Sequence, residues 1–212
     1  MPAILGIDIG TSSTKVMLLD PQTGEQWVQA QAYDVSTPRI GYAEQDPDLW
    51  WQAVLSCLAR LREQKGELYR QIACIGLSGQ MHGLVMTDAA GVPVRPAILW
   101  NDQRSGEECE FLREQLSEKQ QREVLRNRIF PGFALPSLLW VRRHEPEVFA
   151  RARWVMQPKD YVRSRLTRCV GAEVSDASAT LMFDIEKRDW AWEVLEECGF
   201  RASSFHDAMN PV

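Results

Sequence analysis

From residue 4 the chain reads ILGIDIGTSSTKVMLLD, in which two short apolar runs, ILGID and KVMLLD, each close on an acid. Runs of that length and shape predict two strands. DPQTG marks a turn, and EQWVQAQAYDV predicts a third strand because Trp27, the next valine and the alanines alternate with polar residues. The chain therefore opens as a β-meander. At Asp46 the period changes: DPDLWWQAVLSCLARLREQ has an acid at the N-cap, Pro47 in the first turn and apolar residues on one helical face, with Trp50, Val54, Leu58 and Leu61 directed inward. IACIGLSG predicts a buried strand that leaves through a glycine, and LVMTDAAGVPVRPAILW a hairpin turning at DAAG. Further on, SGEECEFLREQLSEKQQREVL and ALPSLLWVRRHEPEVFARA keep a helical period, and PKDYVRSRLT is a short helix opened by proline. No internal repeat or low-complexity linker is visible. The pattern is that of a mixed α/β protein with its strands first.

Composition narrows the function classes. With 212 residues and 45% hydrophobic content the chain has enough apolar surface for one large or two small packed domains. A net charge of −5, with both signs interspersed, gives no electrostatic footprint for nucleic acid or an anionic membrane and leaves small polar ligands open. The five cysteines, Cys57, Cys74, Cys109, Cys169 and Cys198, are widely spaced and lack zinc-ligand spacing, which predicts reduced thiols in a cytoplasmic protein. The opening residues do not pair a charged n-region with an apolar h-region, and no apolar run approaches membrane-spanning length, so neither secretion nor membrane insertion is expected.

The segment GTSST raises the question of a phosphate site. Glycine-rich phosphate loops ordinarily join a strand to a helix, whose N-terminus supplies amides and positive dipole. Here KVMLLD continues as a strand, so the loop is a hairpin tip. Gly10 permits the tight backbone, Thr11, Ser12 and Ser13 offer hydroxyls and amides, and Lys15 follows at the start of the second strand. Asp8 ends the first strand beside them. An acid next to phosphate is repelled unless a cation intervenes, so this pairing implies Mg²⁺ held by Asp8 largely through water. An ordinary polar hairpin accounts for the loop equally well from these residues alone.

DIGTSSTK resembles the first phosphate motif of the ribonuclease H-like, actin-like ATPase fold in the version carried by the FGGY carbohydrate kinases. YAEQDPDLWW, GLSGQMHG, RPAILWNDQR, PGFALPSLLWVRRHEPE and PKDYVRSRLT follow in the order in which that family shows its motifs, so the resemblance spans nearly all of residues 1–212. It implies an amino-terminal domain with a mixed sheet flanked by helices, ATP and Mg²⁺ as cofactors, and a small sugar as substrate. QMHG together with WNDQR is similar to the family branch that phosphorylates D-xylulose, which extends the implication to transfer of the ATP γ-phosphate to that ketose. Another sugar or polyol kinase of the family, or a sugar-binding module without transfer activity, are the alternatives.

In that branch the Met-His pair contacts the ketose, a role the resemblance carries to Met81 and His82: the first packs against carbon, the second hydrogen-bonds hydroxyls. WNDQR brings Trp100 as an apolar platform with Asp102 and Arg104 as polar groups for the sugar. Asp102 also reads as the cap of a helix beginning near Ser105 with Arg104 paired to it, and capping is the preferred role. Trp50, Trp51 and Trp140 fall at helical spacing and read as core. Lys159, in the first turn of its helix, reads as solvated or salt-bridged rather than catalytic.

Phosphoryl transfer also needs a base for the attacking hydroxyl. The family places that aspartate, with most of the nucleotide site, after the region seen here, and Asp176 and Asp184 stand in contexts that match other family segments. The expectation is half a cleft, inactive alone, whose uncovered apolar face favours self-association.

Overall fold

A computed structural model describes residues 2–200. In chain order its strands are β1 (Ala3–Ile9), β2 (Ser13–Leu19), β3 (Gln26–Ala32), β4 (Glu44–Gln45), β5 (Ile72–Gly79), β6 (Val85–Thr87), β7 (Ala97–Ile98), β8 (Trp154–Met156), β9 (Phe183–Asp184) and β10 (Asp189–Trp190). Its helices are α1 (Pro47–Gln64), α2 (Gly66–Tyr69), α3 (Gly106–Gln115), α4 (Ala134–His144), α5 (Pro146–Arg151), α6 (Pro158–Thr167), α7 (Val174–Ala177) and α8 (Trp192–Glu197), with a π-helical turn over Gln120–Leu125. Packing divides these elements between two compact units. The first takes the described residues up to Val35 and Asp46–Gln80, the second Ser36–Gln45 and the described residues from Met81 onward.

The first unit is a mixed sheet of order β3-β2-β1-β5 with α1 packed on β2 and β3. The meander is present: β1 with β2 and β2 with β3 are antiparallel, whereas β5 joins β1 in parallel after the helical crossover. Alternation along the strands puts Leu5, Ile7, Ile9, Val16 and Leu18 in the core and leaves Asp8 and Lys15 exposed on the opposite face, where they are register partners. The start of α1 follows from local chemistry. Asp46 accepts the Asp48 N–H at 3.0 Å, and Pro47 occupies a position whose N–H would have no helical partner. Its buried stripe is Trp50, Ala53, Val54, Cys57 and Leu61, while Leu58 sits at the margin, half-buried.

IACIGLSG differs from expectation. It forms β5, but on the sheet edge, with Ala73, Cys74, Ile75 and Gly76 exposed and Ile75 at 44%. A short apolar run carries no label for centre or edge; that depends on how many strands lie beyond it.

The second unit surrounds a core of Leu84, Ile98, Leu112, Leu135, Leu138, Val141, Phe183, Val194 and Leu195. Each such side chain removed from water contributes about 1.5–3 kcal/mol. The hairpin expected over 84–100 is broken up. Its DAAG turn forms, with Asp88 Oδ1 accepting the Ala90 and Val92 N–H groups and Gly91 at φ +80°. Pro93 and Pro96 then lack ladder donors, so β6 pairs with β8, β7 pairs with β4, and only isolated bridges join the two arms.

The helical stretch from Ser105 is likewise interrupted. Leu116 is extended, and Ser117 and Gln120 exchange side-chain to N–H bonds as a capping box that starts the π-helical turn. Pro146 separates α4 from α5, whereas α6 begins with Pro158 as expected. Cys57, Cys109 and Cys198 are buried free thiols, and Cys74 and Cys169 are exposed free ones. Among the described residues no helix is long and apolar enough to cross a membrane.

Candidate functional site

In the first unit the GTSST segment is a hairpin tip. Gly10 N–H donates to the Ser13 carbonyl at 3.0 Å, and a Cβ at residue 10 would lie 2.9 Å from that oxygen, so only glycine fits this turn. The tip is buttressed from two sides. Tyr33, just past β3, donates its hydroxyl to the Gly10 carbonyl at 2.7 Å and meets the Thr14 hydroxyl at 3.1 Å. Burial, with the Asp8 charge adding, pushes the Tyr33 phenol up to about 12, against the pull of the Thr14 bond, so it remains a donor through neutral pH. Gln80 takes the Thr11 hydroxyl on Oε1 at 3.1 Å and donates its own N–H to Ile9 at 2.7 Å. Tyr33 lay outside the quoted motifs, and Gln80 stood in QMHG without a role assigned to it. Ser12 is exposed at the tip, and Thr11 and Ser13 are half-buried.

In the second unit Met81, His82 and Gly83 form a turn of three residues. Gly83 N–H donates to the Met81 carbonyl at 2.8 Å across His82, whose φ is +65°. For a residue with a Cβ that conformation costs on the order of 1–3 kcal/mol and persists only where the surroundings impose it. They do so here. His82 N–H donates to Gln157 Oε1 at 3.1 Å, Nδ1 lies 2.8 Å from the Ala179 carbonyl, and the ring is tilted on Phe133 with centroids 4.1 Å apart. A Cβ on Gly83 would press to 3.0 Å against Pro158. Met81 is 54% exposed beside this turn.

Trp100 is 47% exposed at the head of WNDQR. Asp102 and Arg104 turn inward instead. Asp102, 1% exposed, accepts the Ala43 N–H at 2.6 Å, the Arg104 N–H at 2.8 Å and both Arg104 Nε and Nη2 at 2.9 and 2.7 Å. Arg104 adds Glu44 at 2.7 Å and lies over the Tyr42 ring at 3.8 Å. Burial would lower its pKa, but Asp102 and Glu44 together raise it above the usual arginine value. The preferred reading of Asp102 as a helix cap is corrected: α3 starts after Ser105 without a side-chain cap bond, and the Asp102 oxygens already serve Ala43 and Arg104. Its pairing with Arg104 is as expected.

Lys159 is salt-bridged, not solvated: Nζ lies 3.0 Å from Asp176 and 3.3 Å from Asp160. Burial pushes the Asp160 carboxyl up to about 6 against the pull of Lys159, and the Asp176 charge adds to the rise. On Lys159 burial acts in the opposite direction. Burial would lower it, yet with two carboxylates on one ammonium it is raised, while each carboxylate has only part of a cation. Asp184 accepts the Glu186 and Lys187 N–H groups in a turn. Trp50 and Trp140 are core residues and Trp51 is half-buried.

Among the described residues no group of three His, Cys, Asp or Glu side chains gathers to hold a metal. One exposed carboxylate fits Mg²⁺ in its usual manner, which keeps several waters and binds one or two protein carboxylates plus substrate phosphates.

This fold, a mixed sheet with a parallel crossover and a tight β1–β2 hairpin tip, is that of the actin-like ATPases. The chain belongs to the FGGY family of carbohydrate kinases, whose N-terminal domain matches residues 3–210. It is 42% identical over 194 residues to the xylulose kinase of Escherichia coli strain K12, an alignment that covers 92% of this chain and 39% of that protein. Among solved structures it is similar to a xyloylose kinase of Brucella ovis, with a TM-score of 0.91 and 38% identity over 99% of this chain and 43% of the other. The xylulose kinase of Rhodospirillum rubrum gives 0.90 and 26%, covering 99% of this chain and 42% of that one. The chain thus spans about two fifths of the length of the relatives it matches.

Proposed function

We propose that this chain is the amino-terminal, sugar-holding domain of an ATP-dependent xylulokinase, which converts D-xylulose to D-xylulose 5-phosphate in the cytoplasm. The observation that carries the proposal is the 42% identity to a xylulose kinase over 92% of the chain. Met81 and His82 meet the ketose, Met81 against its carbon and His82 at a hydroxyl, and Trp100 supplies an apolar wall. Asp102 and Arg104 act from behind, fixing the segment that carries Trp100. Gly10, Thr11, Ser12, Ser13 and Lys15 receive phosphate oxygens, with Asp8 orienting Mg²⁺ through water. When bound, Mg²⁺ neutralises charge that develops on the transferring phosphoryl group.

The general base and the adenine site come from outside these residues, so the 212-residue chain by itself transfers no phosphate and binds ATP and ketose feebly. The exposed edge strand β5 supports self-association. A coupled assay of ADP release with D-xylulose, other ketoses and polyols tests the proposal in the complete kinase. Preference for D-xylulose supports it. A polyol preference moves the assignment to another branch of the family, and the absence of any transfer leaves a sugar-binding module.

A further inference from the structure

We propose that Gln157 is a positioning residue that, with the Ala179 carbonyl, presents His82 Nε2 as a hydrogen-bond acceptor, so that the ligand group met there must be an O–H donor. The inference rests on the proposed role of His82 in holding the sugar, and it adds a polarity that sugar binding alone leaves open. A histidine is able to offer a ligand either an N–H or a lone pair. The two choices select different partners: an N–H suits a ketone, carboxylate or phosphate oxygen, whereas a lone pair accepts only from a hydroxyl or another donor.

The tautomer follows from what surrounds the ring. Ala179 presents a carbonyl oxygen 2.8 Å from Nδ1, and a carbonyl only accepts, so Nδ1 carries the proton. In the neutral imidazole Nε2 is then the lone pair. The imidazole is half-buried, and no hydrogen bond to Nε2 forms among the described residues. The backbone is fixed just as closely. Gln157, 3% exposed, accepts the His82 N–H on Oε1 at 3.1 Å and donates from Nε2 to the Asp176 carbonyl at 2.6 Å, which sets the direction of its amide from both ends.

The anchors lie on two segments that are tied to each other through the Gln157 amide and the Asp176 carbonyl. Lys159, in the first turn of the helix that follows Gln157, binds Asp176 at 3.0 Å, and the 173–180 segment continues to Ala179. The ring and the N–H of His82 are therefore held by two segments that are bonded to each other. That explains how the left-handed turn at His82 survives, and it gives the buried Lys159–Asp176 pair a purpose that phosphoryl chemistry does not require.

Long-range ¹H–¹⁵N correlation of the histidine rings in the 212-residue chain, recorded about two pH units above the ordinary histidine value of about 6.5, reads the tautomer directly. His82→Gln identifies the signal among the three histidines. The expected result is a protonated Nδ1 and a bare Nε2. The Nε2–H form, which free histidine favours, would overturn the proposal. Gln157→Leu should shift the signal toward that form, and Gln157→Glu, which keeps the acceptor for the His82 N–H, should shift it less; no change in either would remove Gln157 from the role. In the complete kinase, ketoses with each hydroxyl replaced in turn by fluorine are then compared. One position should lose roughly threefold to tenfold in affinity with wild-type His82 and nothing further with His82→Ala. Equal loss in both proteins would overturn the donor requirement. Should the tautomer be as expected while no ketose binds at all, the sugar-kinase reading fails and the positioning of His82 by Gln157 stands.

Discussion

Alanine at position 132 would place its Cβ 2.0 Å from the Trp100 carbonyl oxygen and 2.7 Å from the carbonyl carbon, at a backbone φ of +88°. Both neighbours are main chain, so no side-chain rotation relieves the contact, and the loop and the WNDQR segment must part by more than about 1 Å. Left-handed backbone costs alanine about 1–2 kcal/mol, and forced overpacking adds about 1–3 kcal/mol. The sum, about 2–5 kcal/mol, reaches the range that single substitutions rarely attain. Gly91 in the same unit separates the two contributions, since its φ is +80° but an added Cβ meets nothing within 4 Å. Gly91→Ala should therefore cost only the backbone share. Urea unfolding of both variants of the 212-residue chain, followed by tryptophan fluorescence, should show Gly132→Ala less stable than Gly91→Ala by about 1–3 kcal/mol. Equal losses would refute the close approach of this loop to Trp100. Trp100 stands on the displaced segment, so ketose affinity in the complete kinase should fall with Gly132→Ala and not with Gly91→Ala.

Asp8→Asn in the complete kinase removes a charge needed chiefly in the transition state, so kcat should drop far more than KM rises; wild-type turnover would sink the metal-orienting role. His82→Ala should weaken D-xylulose binding by roughly threefold to tenfold and leave ATP affinity unchanged, as measured by calorimetric titration. The buried Asp160 carboxyl, raised from 3.8 to about 6, holds its proton in the folded chain at a pH where the unfolded chain has released it. Stability from this group is thus complete below about pH 4 and is lost as pH rises through 6. Asp160→Asn should flatten that part of the stability–pH curve, and an unchanged slope in denaturant titrations would refute the shift.

Much of the site was legible because it depends on neighbours in the chain. The beginning of α1 follows from the Asp46 carboxylate, the missing proline N–H and a stripe of apolar residues, all within a few turns. The β1–β2 tip follows from one glycine between two alternating runs, and a later segment can reinforce that turn without replacing it. GQMHG and WNDQR were recognisable as words. The inward direction of Asp102 and Arg104 was not, because Ala43 and Glu44, which use their polar atoms, lie about sixty residues away in sequence.

The same division runs through the whole protein. By itself the sequence determined the local conformers and the family: caps, proline boundaries, strand alternation and the hairpin tip are decided by energies that act over a few residues. Tertiary structure alone decided that β5 is an edge, that the 84–100 arms form their ladders with β8 and β4 and only isolated bridges with each other, and that Gln80 and Tyr33 support the β1–β2 tip. It also decided that Gln157 and Ala179 hold His82 from 75 and 97 residues away. A strand edge, a buried carboxylate or a histidine tautomer is a property of the groups that come to lie beside a residue, and the free energy that selects them exists only once distant segments have packed.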